Sequence, residues 1–163
     1  MAAESAPKKS PDRADIRRFQ ANLDDEIDGI AIYRMLADTE KDPERVRIFR
    51  ELAGVEERHA DVWRKKLREA GAEPREHGPS LKVRLLTVAA RTLGVRSVLP
   101  IIRSMEAGAY GAYMAQDETA QALAIEEREH RVTMSRMMRG GQEPSEVILQ
   151  RERWHRSAHS GTL

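Results

Sequence analysis

Apolar residues recur at alternating spacings of three and four in four long stretches of the chain, the mark of a helix that buries one stripe. The first stripe is Ile16, Phe19, Leu23, Glu26, Ile30, Tyr33 and Ala37, and the second is Phe49, Leu52, Glu56, His59 and Trp63. The third is Leu99, Ile102, Glu106, Ala109 and Tyr113, and the fourth is Ala120, Leu123, Glu127, His130, Met134 and Met137. Each stripe is broken near its middle by a carboxylate at a place where an apolar residue belongs. Two of them also carry an imidazole three residues on.

Capping and breaking signals divide these stripes into elements. Ser10-Pro11 and Asp42-Pro43 each put a capping side chain before a proline, so helices are expected at about 11–40 and from residue 43 to near Gly71. Residues 72–79 hold two prolines and a glycine and are not expected to be regular helix. Leu81 to Leu93 reads as a shorter amphipathic helix closed by Gly94. Ser97 is the expected cap of the third long helix, with Pro100 in its first turn, and Asp117 that of the fourth, which ends at Gly140-Gly141. A last short helix is expected at about 144–158, carrying Val147, Ile148 and Trp154. The organisation is then a disordered polar tail at 1–10, one all-α domain at 11–140, and a C-terminal helix or linker at 141–163.

The halves repeat. Glu26-x6-Tyr33 followed by Glu56-x2-His59 returns as Glu106-x6-Tyr113 followed by Glu127-x2-His130. Two antiparallel hairpins joined by a helical crossover would build a four-helix bundle. The spacing makes a geometric demand, because residues equidistant from a hairpin turn lie level. Glu26 and the Glu56/His59 pair are centred on residue 42, where Asp42-Pro43 signals a turn, and Glu106 and the Glu127/His130 pair on residue 117, where Asp117 does. At about 1.5 Å of rise per residue the polar residues of each hairpin are level to within a turn.

Composition narrows the chemistry. The 28 Lys and Arg against 27 Asp and Glu leave a net charge of +1, which argues against a nucleic-acid partner. With no cysteine, disulfides, thiolate ligands and rubredoxin-like iron sites are excluded, and a reducing cytoplasm is the default compartment. No apolar run is long enough to span a bilayer.

A lone glutamate in a helix seam snorkels or pairs with an arginine, and Arg58, Arg128 and Arg131 offer such pairing here. Four level carboxylates with two imidazoles are hard to keep buried without a cation, since each unpaired buried charge costs several kcal/mol. Two divalent ions would bring four such carboxylates and two neutral imidazoles to neutrality. Oxygen and nitrogen donors in this number suit iron or manganese better than one tetrahedral zinc. Glu26, Glu56, His59, Glu106, Glu127 and His130 are therefore the candidate ligands and catalytic residues, with Tyr33 and Tyr113 placed to hydrogen-bond a ligating carboxylate from behind. His155 and His159, four residues apart on the last helix, form a weaker candidate pair.

These paired motifs resemble the rubrerythrin-like branch of the ferritin-like di-iron proteins. The stretch from Leu86 to Pro100 and the tail from Glu152 to Leu163 are most similar to the N-terminal ferritin-like domain of bacterial membrane-bound ferritin, which precedes a membrane domain of the vacuolar iron transporter family. The resemblance implies a ferritin-like four-helix bundle, a crossover between its second and third helices, and a short C-terminal helix. It implies two iron ions held by the six ligands and oxidation of Fe(II) by O2 or H2O2 in iron homeostasis or export and oxidative-stress protection. The alternative is a non-catalytic iron-sensing or iron-delivery domain feeding a membrane transporter; a third, weaker reading is another di-metal oxygenase. A homodimer is expected, in the cytoplasm or on the cytoplasmic face of the inner membrane when membrane-tethered. Rubrerythrins usually carry a further Glu one turn after the third-helix ligand, where this chain has Ala109, and this favours ferroxidase or iron handling over peroxidase turnover.

Overall fold

The computed structural model describes residues 11–139, and among them every regular element is helical: α1 (Arg13–Thr39), α2 (Pro43–Glu69), α3 (Leu81–Leu93), a 3-10 turn (Val95–Ser97), α4 (Leu99–Met114) and α5 (Glu118–Arg139). This is the all-α fold class of a ferritin-like helical bundle. The chain divides into two compact units after Val95. The expected tail at 1–10 and the last short helix, with His155 and His159, lie outside the described residues.

In the first unit α1 and α2 pack as an antiparallel hairpin. Asp12, rather than the expected Ser10, caps α1. Its carboxylate accepts from the amides of Ala14 (2.8 Å) and Asp15 (3.0 Å), and Asp15 accepts in return from the amide of Asp12 (3.0 Å), a reciprocal capping box. A carboxylate that can close this box satisfies two orphan amides, which a lone hydroxyl two residues earlier does not match. Asp42 caps α2 as expected, accepting from the amides of Glu44 (2.9 Å) and Arg45 (3.2 Å), with Pro43 in the first turn. The hairpin buries Leu23, Tyr33, Leu36, Phe49, Trp63 and Leu67 almost completely. Ile32, Met35, Ile48 and Val55 are also buried, so the apolar face is wider than the narrow stripe.

The segment after α2 turns at Gly71, whose φ of +74° is a left-handed conformation that favours glycine. It is tied back onto the hairpin by side chains. Gln20 exchanges two hydrogen bonds with the Arg75 backbone (2.9 and 3.0 Å), the Ser80 amide donates to buried Asp28 (3.0 Å), and Arg64 donates to both carboxylate oxygens of Glu76 (2.7 and 3.0 Å). α3 then packs on α1 through Val83, Leu86 and Ala90 and ends at Gly94, φ +88°.

In the second unit α4 and α5 form the other hairpin. Ser97 does not cap α4. It ends the 3-10 turn, and the N-cap is Val98, without a side-chain hydrogen bond. Pro100 in the first turn lacks an amide hydrogen that would need such a partner. Asp117 accepts from the Ala120 amide (3.1 Å) and starts α5 as expected. Leu99, Ile102, Tyr113, Ala120, Met134 and Met137 are buried.

Candidate metal centre

Each hairpin gathers its own three candidate residues. All six are buried, none with more than 8% of its surface exposed. In the first hairpin Glu56 and His59 stand one helical turn apart on one face of α2, and Glu26 meets them from α1. Nδ1 of His59 is 3.7 Å from Oε2 of Glu26 and 3.7 Å from Oε2 of Glu56. The second hairpin repeats the figure: Nδ1 of His130 is 3.8 Å from Oε2 of Glu106 and 3.8 Å from Oε2 of Glu127.

These separations are too long for hydrogen bonds. They are the spacing of ligands about an ion: donors about 2.0–2.2 Å from a common divalent metal lie roughly 3–4 Å apart. In each hairpin a donor atom of all three residues lies within 4.8 Å of the others. Charge fits as well. Two carboxylates with a neutral imidazole carry −2, so one divalent ion per hairpin neutralises what burial makes costly. The residues present fit a metal site.

Two neighbours bear on the carboxylates of the first hairpin: Trp63, whose place in the seam did not reveal a hydrogen bond, and Gly29, where an interrupted helix suggests close approach or room beside a metal. Trp63, one turn beyond His59 on α2, is wholly buried and donates its indole N–H to Oε1 of Glu26 at 3.2 Å. One oxygen of Glu26 is thus held from behind while the other faces His59. Phe19 stacks on Trp63 at 6.0 Å, and the Lys66 ammonium lies 5.5 Å over the indole, so the ring is itself packed in place. Gly29 lies against Glu56. A β-carbon there would stand 3.3 Å from Cγ and Cδ of Glu56 and 3.4 Å from Oε2, closer than most such contacts in proteins. The repeat contained a signal for both, since the matched places in the second half are Met134 and Ala109. Tyr33 and Tyr113 are both buried.

The rubrerythrin family model matches residues 19–138. The chain belongs to the rubrerythrin family, a group of ferritin-like di-iron proteins that bind iron and are generally oxidoreductases. No curated protein matches it, and no solved structure does. No helix among the described residues is long and apolar enough to cross a membrane.

Proposed function

We propose that Glu26, Glu56 and His59 in one hairpin and Glu106, Glu127 and His130 in the other hold two Fe(II) ions as substrate, which the protein oxidises with O2 or H2O2. The observation that carries this reading is the pair of buried triads, each of two carboxylates and one imidazole with donor atoms within 4.8 Å. Bound iron supplies the one-electron redox chemistry. The protein's residues do the rest: four carboxylates balance the charge of the ions, the imidazoles add neutral nitrogen donors, and Trp63 keeps one Glu26 oxygen turned away. Tyr33 and Tyr113, buried two turns from Glu26 and Glu106, are assigned to hydrogen bonds that orient the carboxylates. Manganese fits the same donors.

A second reading is a domain that senses or delivers iron without turnover, because the buried triads account for binding alone as well as for binding with oxidation. In either reading the chain serves iron homeostasis, as a ferritin-like module on the cytoplasmic side and with a functional or covalent link to a membrane iron transporter. We also propose a homodimer, for which exposed Ile125 and Val132, seven residues apart on one face of α5, are the candidate contact.

Anaerobic loading with Fe(II), then oxygen, tests these readings. The ferroxidase binds about two irons per chain and develops a near-ultraviolet oxo-to-iron band faster than buffer oxidises free iron, and Glu56→Ala and Glu127→Ala each abolish the gain. Two irons bound with oxidation no faster than buffer selects the sensing or delivery domain. Fewer than one iron per chain rejects both.

A further inference from the structure

Helix α3 is apolar on two opposite sides. Val83, Leu86 and Ala90 are buried toward α1, and the reverse side shows Leu81, Leu85 and Val88 at 72%, 62% and 60% exposure. Their spacing of four and three makes one continuous stripe where a solvated helix normally carries polar residues. Exposed Lys82 flanks the stripe on one side, and exposed Arg84 and Arg91 on the other.

The charge of this region is one-sided. From His77 to Met105 there is no Asp or Glu, while Lys82, Arg84, Arg91, Arg96 and Arg103 all fall there, in a chain whose 27 acids nearly match its 28 bases. Asp25 is within electrostatic reach of Lys82, and among the described residues no carboxylate forms a salt bridge with Arg84 or Arg91. The exposed side of α3 also contains no Asn, Gln, Tyr or Trp. It offers apolar contact and cationic donors, while the hydroxyls of Thr87 and Thr92 are turned onto carbonyls of their own helix.

We propose that α3 docks on an anionic lipid surface, lying in its plane. Leu81, Leu85 and Val88 enter the boundary between headgroups and acyl chains, and Lys82, Arg84 and Arg91 reach lipid phosphates from either flank. Thirteen residues, about 20 Å of helix, lie on a bilayer and do not cross it. A second copy is disfavoured because two α3 faces brought together set cations against cations. A fluid surface of phosphates meets the charge on both flanks without the fixed partners that a protein groove would have to supply. The proposal does not depend on the metal-site reading.

The test is flotation of the full chain with vesicles of phosphatidylcholine, alone or mixed with phosphatidylglycerol. The protein is expected to float with the anionic vesicles, to stay behind with the neutral ones, and to be released by high salt. Each base near the surface contributes about fivefold, so Arg84→Gln with Arg91→Gln weakens association roughly 25-fold. Leu85→Glu with Val88→Glu abolishes it. These side chains are exposed, so circular dichroism of the variants should match the parent and separate lost docking from misfolding. Equal flotation with both vesicle types, or full flotation of either double variant, overturns the proposal. So does a parent that ignores vesicles, whether it binds an acidic protein or is a dimer that Leu85→Glu with Val88→Glu splits.

Discussion

The two hairpins carry the same three-residue figure at the same spacing, yet they support it differently. In α1–α2, Trp63 holds Glu26, Gly29 makes room for Glu56, and the segment at 72–80 is tied back through Gln20, Asp28 and Arg64. In α4–α5, Met134 and Ala109 take the places of Trp63 and Gly29. Methionine has no hydrogen to donate, and alanine brings the β-carbon that glycine omits. The repeat within this chain keeps the candidate donors but not the residues behind them. Equal sets of candidate ligands therefore need not make equal sites.

The strongest way to break this comparison is to remove a nitrogen donor from either half. His59→Ala and His130→Ala should each reduce bound metal to about one ion per chain or less, read by elemental analysis after anaerobic loading. Retention of two ions by either variant would dissolve the symmetry of the halves.

Next comes Trp63→Phe, which deletes the hydrogen bond to Glu26 and keeps an aromatic ring against Phe19. Partners behind a ligand typically affect metal affinity 10- to 100-fold, and about tenfold weaker Co(II) binding is expected here. Met134→Leu, the matched change in the second half, conserves volume and should leave affinity within about twofold. Similar losses in both variants would show that the indole hydrogen bond is not what separates the hairpins.

A smaller effect is expected at the matched small residues. Gly29→Ala gains about 1 kcal/mol of helix propensity, but its β-carbon presses on Glu56, so metal binding should weaken several-fold without loss of metal-free stability. Ala109→Gly should do the opposite, costing roughly 0.5–1 kcal/mol of stability with metal binding unchanged. Calorimetry for binding and denaturant titration for stability read the two columns separately.

The smallest effect concerns the tie at His77. Its Nδ1 lies 2.6 Å from the Gly78 carbonyl, and its Nε2 is 3.6 Å from Asp24. The hydrogen bond to Gly78 first, and the charges of Asp24 and Asp28 after it, raise its pKa above the ordinary value. A raised folded-state pKa stabilises while the imidazole is protonated: the contribution is full below about pH 6.5 and fades as pH rises through the folded value. The denaturant midpoint of His77→Ala should therefore fall short of the parent at about pH 5.5 and approach it near pH 9. A gap that widens with pH would remove this tie from the first hairpin's advantages.

Much of the architecture was legible in the amino-acid sequence because helical periodicity and caps are local. Asp42-Pro43, Gly94 and Asp117 stand where they were expected, since each acts on amides or a backbone angle within a few residues. The misplaced caps, Asp12 and Val98, show the limit. At α1 both Ser10 and Asp12 have capping chemistry and the reciprocal bond with Asp15 decides for Asp12, while at α4 the 3-10 turn that takes up Ser97 leaves Val98, which has no capping side chain, at the cap position.

The sequence by itself determined that Glu26, Glu56 and His59, and likewise Glu106, Glu127 and His130, fall on inward stripes level with one another, because helical rise and hairpin symmetry follow from spacing alone. Tertiary structure decided which oxygen of Glu26 is held by Trp63, how close Gly29 comes to Glu56, and which apolar side of α3 is left uncovered. Those are distances between side chains far apart in the chain, fixed by how two surfaces settle against each other, and no local pattern encodes them.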